Sequence, residues 1–134
     1  MYIVKKEKGD TSVSSPPQKI KDMDNFPAEK SKAHIIVEII EYVPNSVVIK
    51  TIIKKSTGTI SVMSFDSGEG LTEKTSPFET FAQIIEGQAE IVIDKKPHLL
   101  QSGQGIIIPA QSPNYINPNG RFKMILTIIK SGEE

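Results

Sequence analysis

The sequence has no cysteine, no tryptophan and only two histidines, His34 and His98. Without cysteine there is no disulfide framework, no thiol nucleophile and no zinc–thiolate site. Two imidazoles cannot supply a three-histidine metal centre within one chain. Charge of one sign is lacking too, because 16 Lys and Arg balance 16 Asp and Glu. A zero net charge argues against nucleic acid or an anionic membrane surface as partner, since both favour a basic face. The apolar runs at 35–37 and 106–108 fall far short of a membrane span. Met1 to Lys6 has neither the apolar core nor the small-residue cleavage site of a signal peptide. A cytoplasmic location is therefore expected.

What is present fits one domain of 134 residues. Residues 1–33 are rich in Lys, Ser, Asp and Pro, with few large apolar groups to offset the entropy of ordering. They are expected to form an extended arm, loosely ordered or docked on a partner subunit, with Ile20, Met23 and Phe26 as docking points. Residues 34–134 have the texture of strands and turns. "IIVEIIEYV" and "SVVIKTIIKK" are β-branched segments either side of Pro44-Asn45-Ser46, so His34 is expected to start a strand. "TISVMSF" alternates before a turn at Asp66-Ser67-Gly68. "TFAQIIEGQAEIVID" reads as two strands joined at Glu86-Gly87-Gln88, and "HLLQSGQGIIIPA" follows the turn at Asp94 to Pro97, with His98 opening a strand. "RFKMILTIIK" closes the chain after the turn-rich "QSPNYINPNG". Strands punctuated about every ten residues predict an all-β sandwich or barrel. Helical periodicity is confined to a turn near 22–28, and there is no internal repeat.

From about Phe65 to Lys130 the chain resembles the cupins, which are small jelly-roll (double-stranded β-helix) barrels. Their first motif runs glycine, five residues, histidine, one residue, histidine, three or four residues, glutamate, six residues, glycine. Gly68, Lys74, Ser76, Thr80 and Gly87 keep that spacing. The second motif runs glycine, five residues, proline, one residue, glycine, two residues, histidine. Gly103 and Pro109 fit it, Gln111 stands for the second glycine and Asn114 for the histidine. The resemblance implies a barrel over 34–134 and a homodimer paired through its sheets.

In many cupins the three histidines and the glutamate hold a divalent metal. Lys74, Ser76, Thr80 and Asn114 make a poor substitute, because an ammonium has no lone pair and hydroxyl or amide oxygens bind transition ions weakly. No metal and no cofactor is expected. Residues two apart on a strand share a face, so Lys74 and Ser76 would point together if that segment is extended. Pointing inward, Lys74 would need a carboxylate such as Glu73 or Glu79, or an anionic ligand. Pointing outward, it would snorkel to the rim.

The candidate ligand-binding set is therefore Lys74, Ser76, Thr80, Gln83, Asn114 and Tyr115. Counting by twos separates Gln83 from Thr80 and Ile84, although Pro77-Phe78 interrupts the run. Tyr115 either caps the cavity mouth or packs on the rim. No catalytic residue is assigned, because Ser64, Ser67, Ser76 and Ser112 lack a nearby histidine and any Gly-x-Ser-x-Gly pattern. Three functions stay open: a metal-free binder of a small, anionic molecule, a metal-independent isomerase or epimerase built on Lys74, and an assembly module with a closed cavity.

Overall fold

The computed structural model describes residues 2–3, 18–22 and 28–130. Met23 and Phe26 lie outside the described residues, as does most of the expected arm. The strands are β1 (Tyr2–Ile3), β2 (Gln18–Asp22), β3 (Val47–Lys55), β4 (Gly58–Phe65), β5 (Leu71–Lys74), β6 (Glu79–Ile93), β7 (Lys96–Gln101), β8 (Gly105–Ile108), β9 (Asn114–Asn117) and β10 (Phe122–Ile129). They curl into a jelly roll of two facing sheets. One has the order β2-β3-β4-β10-β6-β8, antiparallel except for the parallel pair β2–β3. The other has the order β7-β6-β9-β5 and is antiparallel throughout. Short β1 pairs with β2. Ile20 of β2 is buried in the core between the sheets.

β6 belongs to both sheets. Its first half pairs with β8 and β10, its second with β7 and β9. The sequence divides it at Glu86-Gly87-Gln88, but the chain stays extended through that point. The register against β10 slips there, with Ile84 opposite Met124 and Glu86 opposite Lys123, leaving Ile85 as the extra residue of a bulge. Gly87 follows at φ +81°, and a Cβ there would sit 2.5 Å from the Arg121 carbonyl oxygen and 3.0 Å from the Phe122 Cβ. The glycine thus lets β6 bend over β10 rather than end in a turn.

Alternation then sorts the side chains. Ala82, Ile84, Ala89, Ile91 and Ile93 of β6 join Met63, Phe65, Phe122 and Met124 in the core. Phe65 and Phe122, opposite each other in register, stack with ring centroids 4.2 Å apart.

The outer face of the first sheet carries a second, smaller core of Ile40, Val48 and Val62. It is covered by "IIVEIIEYV", which is not a strand. Residues 36–39 form a single helical turn, α1 (Ile36–Ile39), and Ile40 returns to extended backbone. Ile36 and Ile39 of that turn, with Ile40 and Val43 beyond it, pack on Val48 and Val62 of the sheet, and this tertiary contact overrides what the β-branching prefers. His34 accordingly lies in the loop before α1, where its Nε2 is 3.0 Å from the Glu29 carbonyl oxygen. Three side chains of the sheet fasten the segment by donating to its carbonyls: Lys123 to Val37 (2.6 Å), Lys50 to Ile39 (2.8 Å) and Ser64 to Glu41 (2.9 Å). These satisfy acceptors that so short a helix leaves open.

If the bulge depends on Gly87, Gly87→Ala combines a strained φ with a backbone clash and should cost on the order of 1–3 kcal/mol. Gly103 has φ +93° but open space around its Cα, so Gly103→Ala should cost less. Urea-unfolding midpoints compare the two, and equal losses would remove the clash from the account.

Candidate functional site

β9 lies within the stretch that reads as turn-rich, bracketed by Pro113 and Pro118. Its position fixes Asn114. Asn114 stands opposite Ile93 of β6 on one side and Lys74 of β5 on the other, and only 3 % of it is exposed. Ile93, and Leu71 and Ile116 on the same two strands as Lys74 and Asn114, belong to the core. The Lys74 side chain therefore points into the barrel, where it is partly buried.

There its Nζ donates to Asn114 Oδ1 at 3.0 Å. The Asn114 amide nitrogen donates in turn to the Ser112 carbonyl at 2.9 Å, and at 3.4 Å to that of Lys74. These bonds fix the amide with its oxygen toward the ammonium. Among the described residues no carboxylate forms an ion pair with Lys74. Glu73 and Glu79 alternate to the opposite faces of their strands from Lys74 and Thr80. Burial alone, with no counter-charge, lowers the Lys74 pKa from 10.5 to about 8.

Of the remaining candidates, Ser76 and Thr80 stay near this pair in the chain. Ser76 follows β5, and its Oγ accepts from Phe78 N at 3.0 Å while its carbonyl accepts from Gln111 N at 2.7 Å. Its hydroxyl thus helps shape the β5–β6 turn. Thr80, the second residue of β6, is in phase with Ala82 and Ile84. Gln83 is out of phase with them and stands opposite Gly105 and Ile125, so it faces outward. Tyr115 alternates away from Asn114 and Ile116 and pairs with Val92 on the outside of the second sheet. Gln83 and Tyr115 are thereby separated from the Lys74 pair. His98 does not open β7, which starts at Lys96; it lies opposite Ile91 in mid-strand. Among the described residues no three His, Asp or Glu side chains are grouped to hold a metal ion.

A second polar cluster escaped the sequence. Arg121, the only arginine in the chain, donates from Nε to Asp66 Oδ1 at 2.7 Å. Asp66 Oδ2 accepts from Asn45 N at 2.6 Å, and the Asn45 and Arg121 bonds hold its carboxyl below the usual range. Arg121 and Lys123 each lie 5.0 Å from the centre of the Tyr42 ring. The Tyr42 hydroxyl donates to Glu86 at 2.6 Å, and burial together with this carboxylate pushes its pKa far above the ordinary value. Lys123 lies 3.9 Å from the same Glu86 oxygen. The signal available was slight: one arginine directly after an Asn-Gly turn.

The barrel geometry matches solved proteins along most of the chain. It is similar to a conserved protein of unknown function from Streptococcus pyogenes, with 25% identity over 81% of this chain and 95% of that one, at a TM-score of 0.75. A cupin superfamily protein from Desulfitobacterium hafniense gives 25% identity over 77% of this chain and 94% of the other, at 0.72. A cupin 2 conserved barrel domain protein from Leptotrichia buccalis gives 27% identity over 70% of this chain but only 46% of its own, at 0.68. The chain belongs to the cupin superfamily. No family model and no curated protein matches the sequence. Within this cupin barrel Lys74 and Asn114 are paired across β5 and β9 with the core beneath them. No helix among the described residues is long and apolar enough to cross a membrane.

A lysine whose pKa falls on folding binds fewer protons in the native than in the unfolded state between pH 8 and 10.5. Its destabilising effect is therefore fully present below pH 8 and fades above it. Lys74→Met should stabilise the unliganded protein by on the order of 1–2 kcal/mol at pH 7, with the gain shrinking toward pH 10. Chemical denaturation of both proteins across that range measures it; a pH-independent difference would contradict the burial of the charge.

Proposed function

We propose that this cupin-fold protein binds a small anionic molecule inside its barrel, using Lys74 as the cation and no metal. One observation carries the proposal: an inward-facing ammonium donates to an amide oxygen and is ion-paired to no carboxylate among the described residues. An unpaired cation beside a core is costly, and an anion entering next to it recovers part of that cost. Asn114 orients the ammonium, while Thr80 and the Ser76 turn supply polar groups close by in the chain. The same observation weighs against a metal-independent isomerase. General acid–base work needs a matched pair, and Glu73 and Glu79 face away from Lys74.

The partner proposed for the outer face is a second copy of the chain. Register places Ile107, Phe81, Thr127, Ile60 and Ile53 in one row across β8, β6, β10, β4 and β3. Ile107 is 58 % exposed, Phe81 41 % and Ile53 46 %, with Ile129 (54 %) beside the row on β10. Four large side chains about half exposed present on the order of 400 Å², the size of the largest apolar patch on a typical monomer, which is often functional. That is about half of the ~800 Å² each partner gives to a standard interface. A formal net charge of zero means that two copies do not repel as wholes.

Calorimetric titration with acetate, malonate and phosphate tests the first proposal. At least one should bind wild type, lose affinity tenfold or more with Lys74→Met, and weaken as pH rises through about 8. Equal or absent binding in both proteins removes it. Sedimentation equilibrium tests the second: wild type should have twice the monomer mass, and Phe81→Glu with Ile107→Glu should halve it. A monomeric wild type would end that proposal.

A further inference from the structure

Beside the β6 bulge, on the outside of the barrel and apart from Lys74, lies an open groove of about 420 Å³. Gln88 and Gln101, opposite each other on β6 and β7, form one wall with Ser102. Asn119, Gly120 and Arg121, the loop leading into β10, form the other, and Gly87 lies on the bulge itself. Its volume falls in the range of small-molecule sites.

Three features of its chemistry agree. Arg121 is preorganised: its Nε is committed to Asp66, its plane lies near the Tyr42 ring, and the groove borders the same residue. The Nη donors of the fork have no acceptor among the described residues. A planar fork held in place matches a carboxylate in two parallel bonds with little rotamer entropy left to lose. Secondly, the side-chain amides of Gln88, Gln101 and Asn119 make no hydrogen bond among the described residues. An amide both donates and accepts, as a hydroxyl does, so three of them suit a ligand carrying several hydroxyls. Thirdly, among the described residues neither an acidic nor an aromatic side chain lines the groove. The nearest carboxylate, Asp66, is held on the Nε edge of Arg121 and leaves the Nη edge to a second one, and no described lining residue offers a face on which a nucleobase would stack.

From these features we infer that the groove is a binding site for a small hydroxylated carboxylic acid of the sugar-acid class. The carboxylate meets the Arg121 fork, and the hydroxyls meet the amides of Gln88, Gln101 and Asn119. The wall is rigid where it matters, since Gly87 sits under the Arg121 carbonyl and Gly68 N donates to the Asn119 carbonyl at 2.7 Å.

Titration of the full-length protein with glucuronate, followed by amide chemical shifts, tests the site. Saturable shifts are expected at Gly87, Gln88, Ser102 and Gly120, with glucose and acetate each binding at least tenfold more weakly. Arg121→Lys keeps the charge but loses the fork and should weaken glucuronate tenfold or more. Because that change also touches Asp66, Gln101→Glu serves as the second variant: it leaves the Asp66 contact intact, puts a carboxylate in the groove and should abolish the shifts. Lys74→Met should leave them unchanged, which separates this site from the barrel interior. No saturation up to about 20 mM, equal binding of glucose, or unimpaired binding by Gln101→Glu would overturn the inference.

Discussion

Everything in this barrel hangs on the passage of one strand between two sheets. β6 can serve both only if it bends sharply without giving up its ladder, and a bulge followed by a glycine at positive φ does this. The extra residue at Ile85 shifts the alternation by one. Ile84 therefore enters the main core, whereas Ile85 packs in the smaller outer core and Glu86 reaches the Tyr42 hydroxyl. The same bend brings Gly87 under Arg121 and Phe122, so the aromatic stack, the polar network and the groove all sit around one backbone irregularity.

On the outside, the structure spends its cations on holding chain segments. Lys50 and Lys123 bind carbonyls of residues 37–39, and Arg121 binds Asp66, which in turn holds Asn45. These contacts span 11 to 86 residues of sequence. They act as fasteners for a segment whose own helix is too short to be stable alone. Tyr42 is central because its ring faces two cations and its hydroxyl a carboxylate, which fixes one orientation for all four groups.

Much of this was legible in the residues. Strand lengths and turn signals pointed to an all-β sandwich or barrel, since those features are local and each turn type has its own chemistry, and the resemblance of the glycine–proline spacing to the cupin motifs implied the jelly roll. Misreadings arose where a local signal competed with a longer pattern. In "IIVEIIEYV" β-branching suggested a strand, but Ile36, Ile39, Ile40 and Val43 pack on the face of the first sheet instead of pairing at its edge. In "QSPNYINPNG" the flanking prolines concealed a four-residue strand, because its pairing partners are supplied by β5 and β6 rather than by a neighbour in sequence. Gly87 looked like a turn because positive φ serves turns and bulges alike. Lys74 could be named from spacing, but its inward direction depends on the register with Asn114. Arg121 and Asp66, 55 residues apart, have no local signature at all.

The two polar loci then differ in a way that composition hides. Outside, buried Lys123 lies within ion-pair distance of Glu86, which offsets part of its cost of burial, and the exposed Arg121 is bonded to Asp66. Inside, among the described residues, Lys74 has only a neutral amide oxygen as partner, on strands whose Leu71, Ile93 and Ile116 belong to the core. Stability alone would favour methionine at that position. An uncompensated cation of this kind raises the free energy of the empty protein, and that is the cost the proposed anion would recover. Binding energy in such a site would go partly into neutralising that charge, so affinity and proton uptake would be coupled. An anion bound there, as proposed, would draw Lys74 back toward its ordinary pKa.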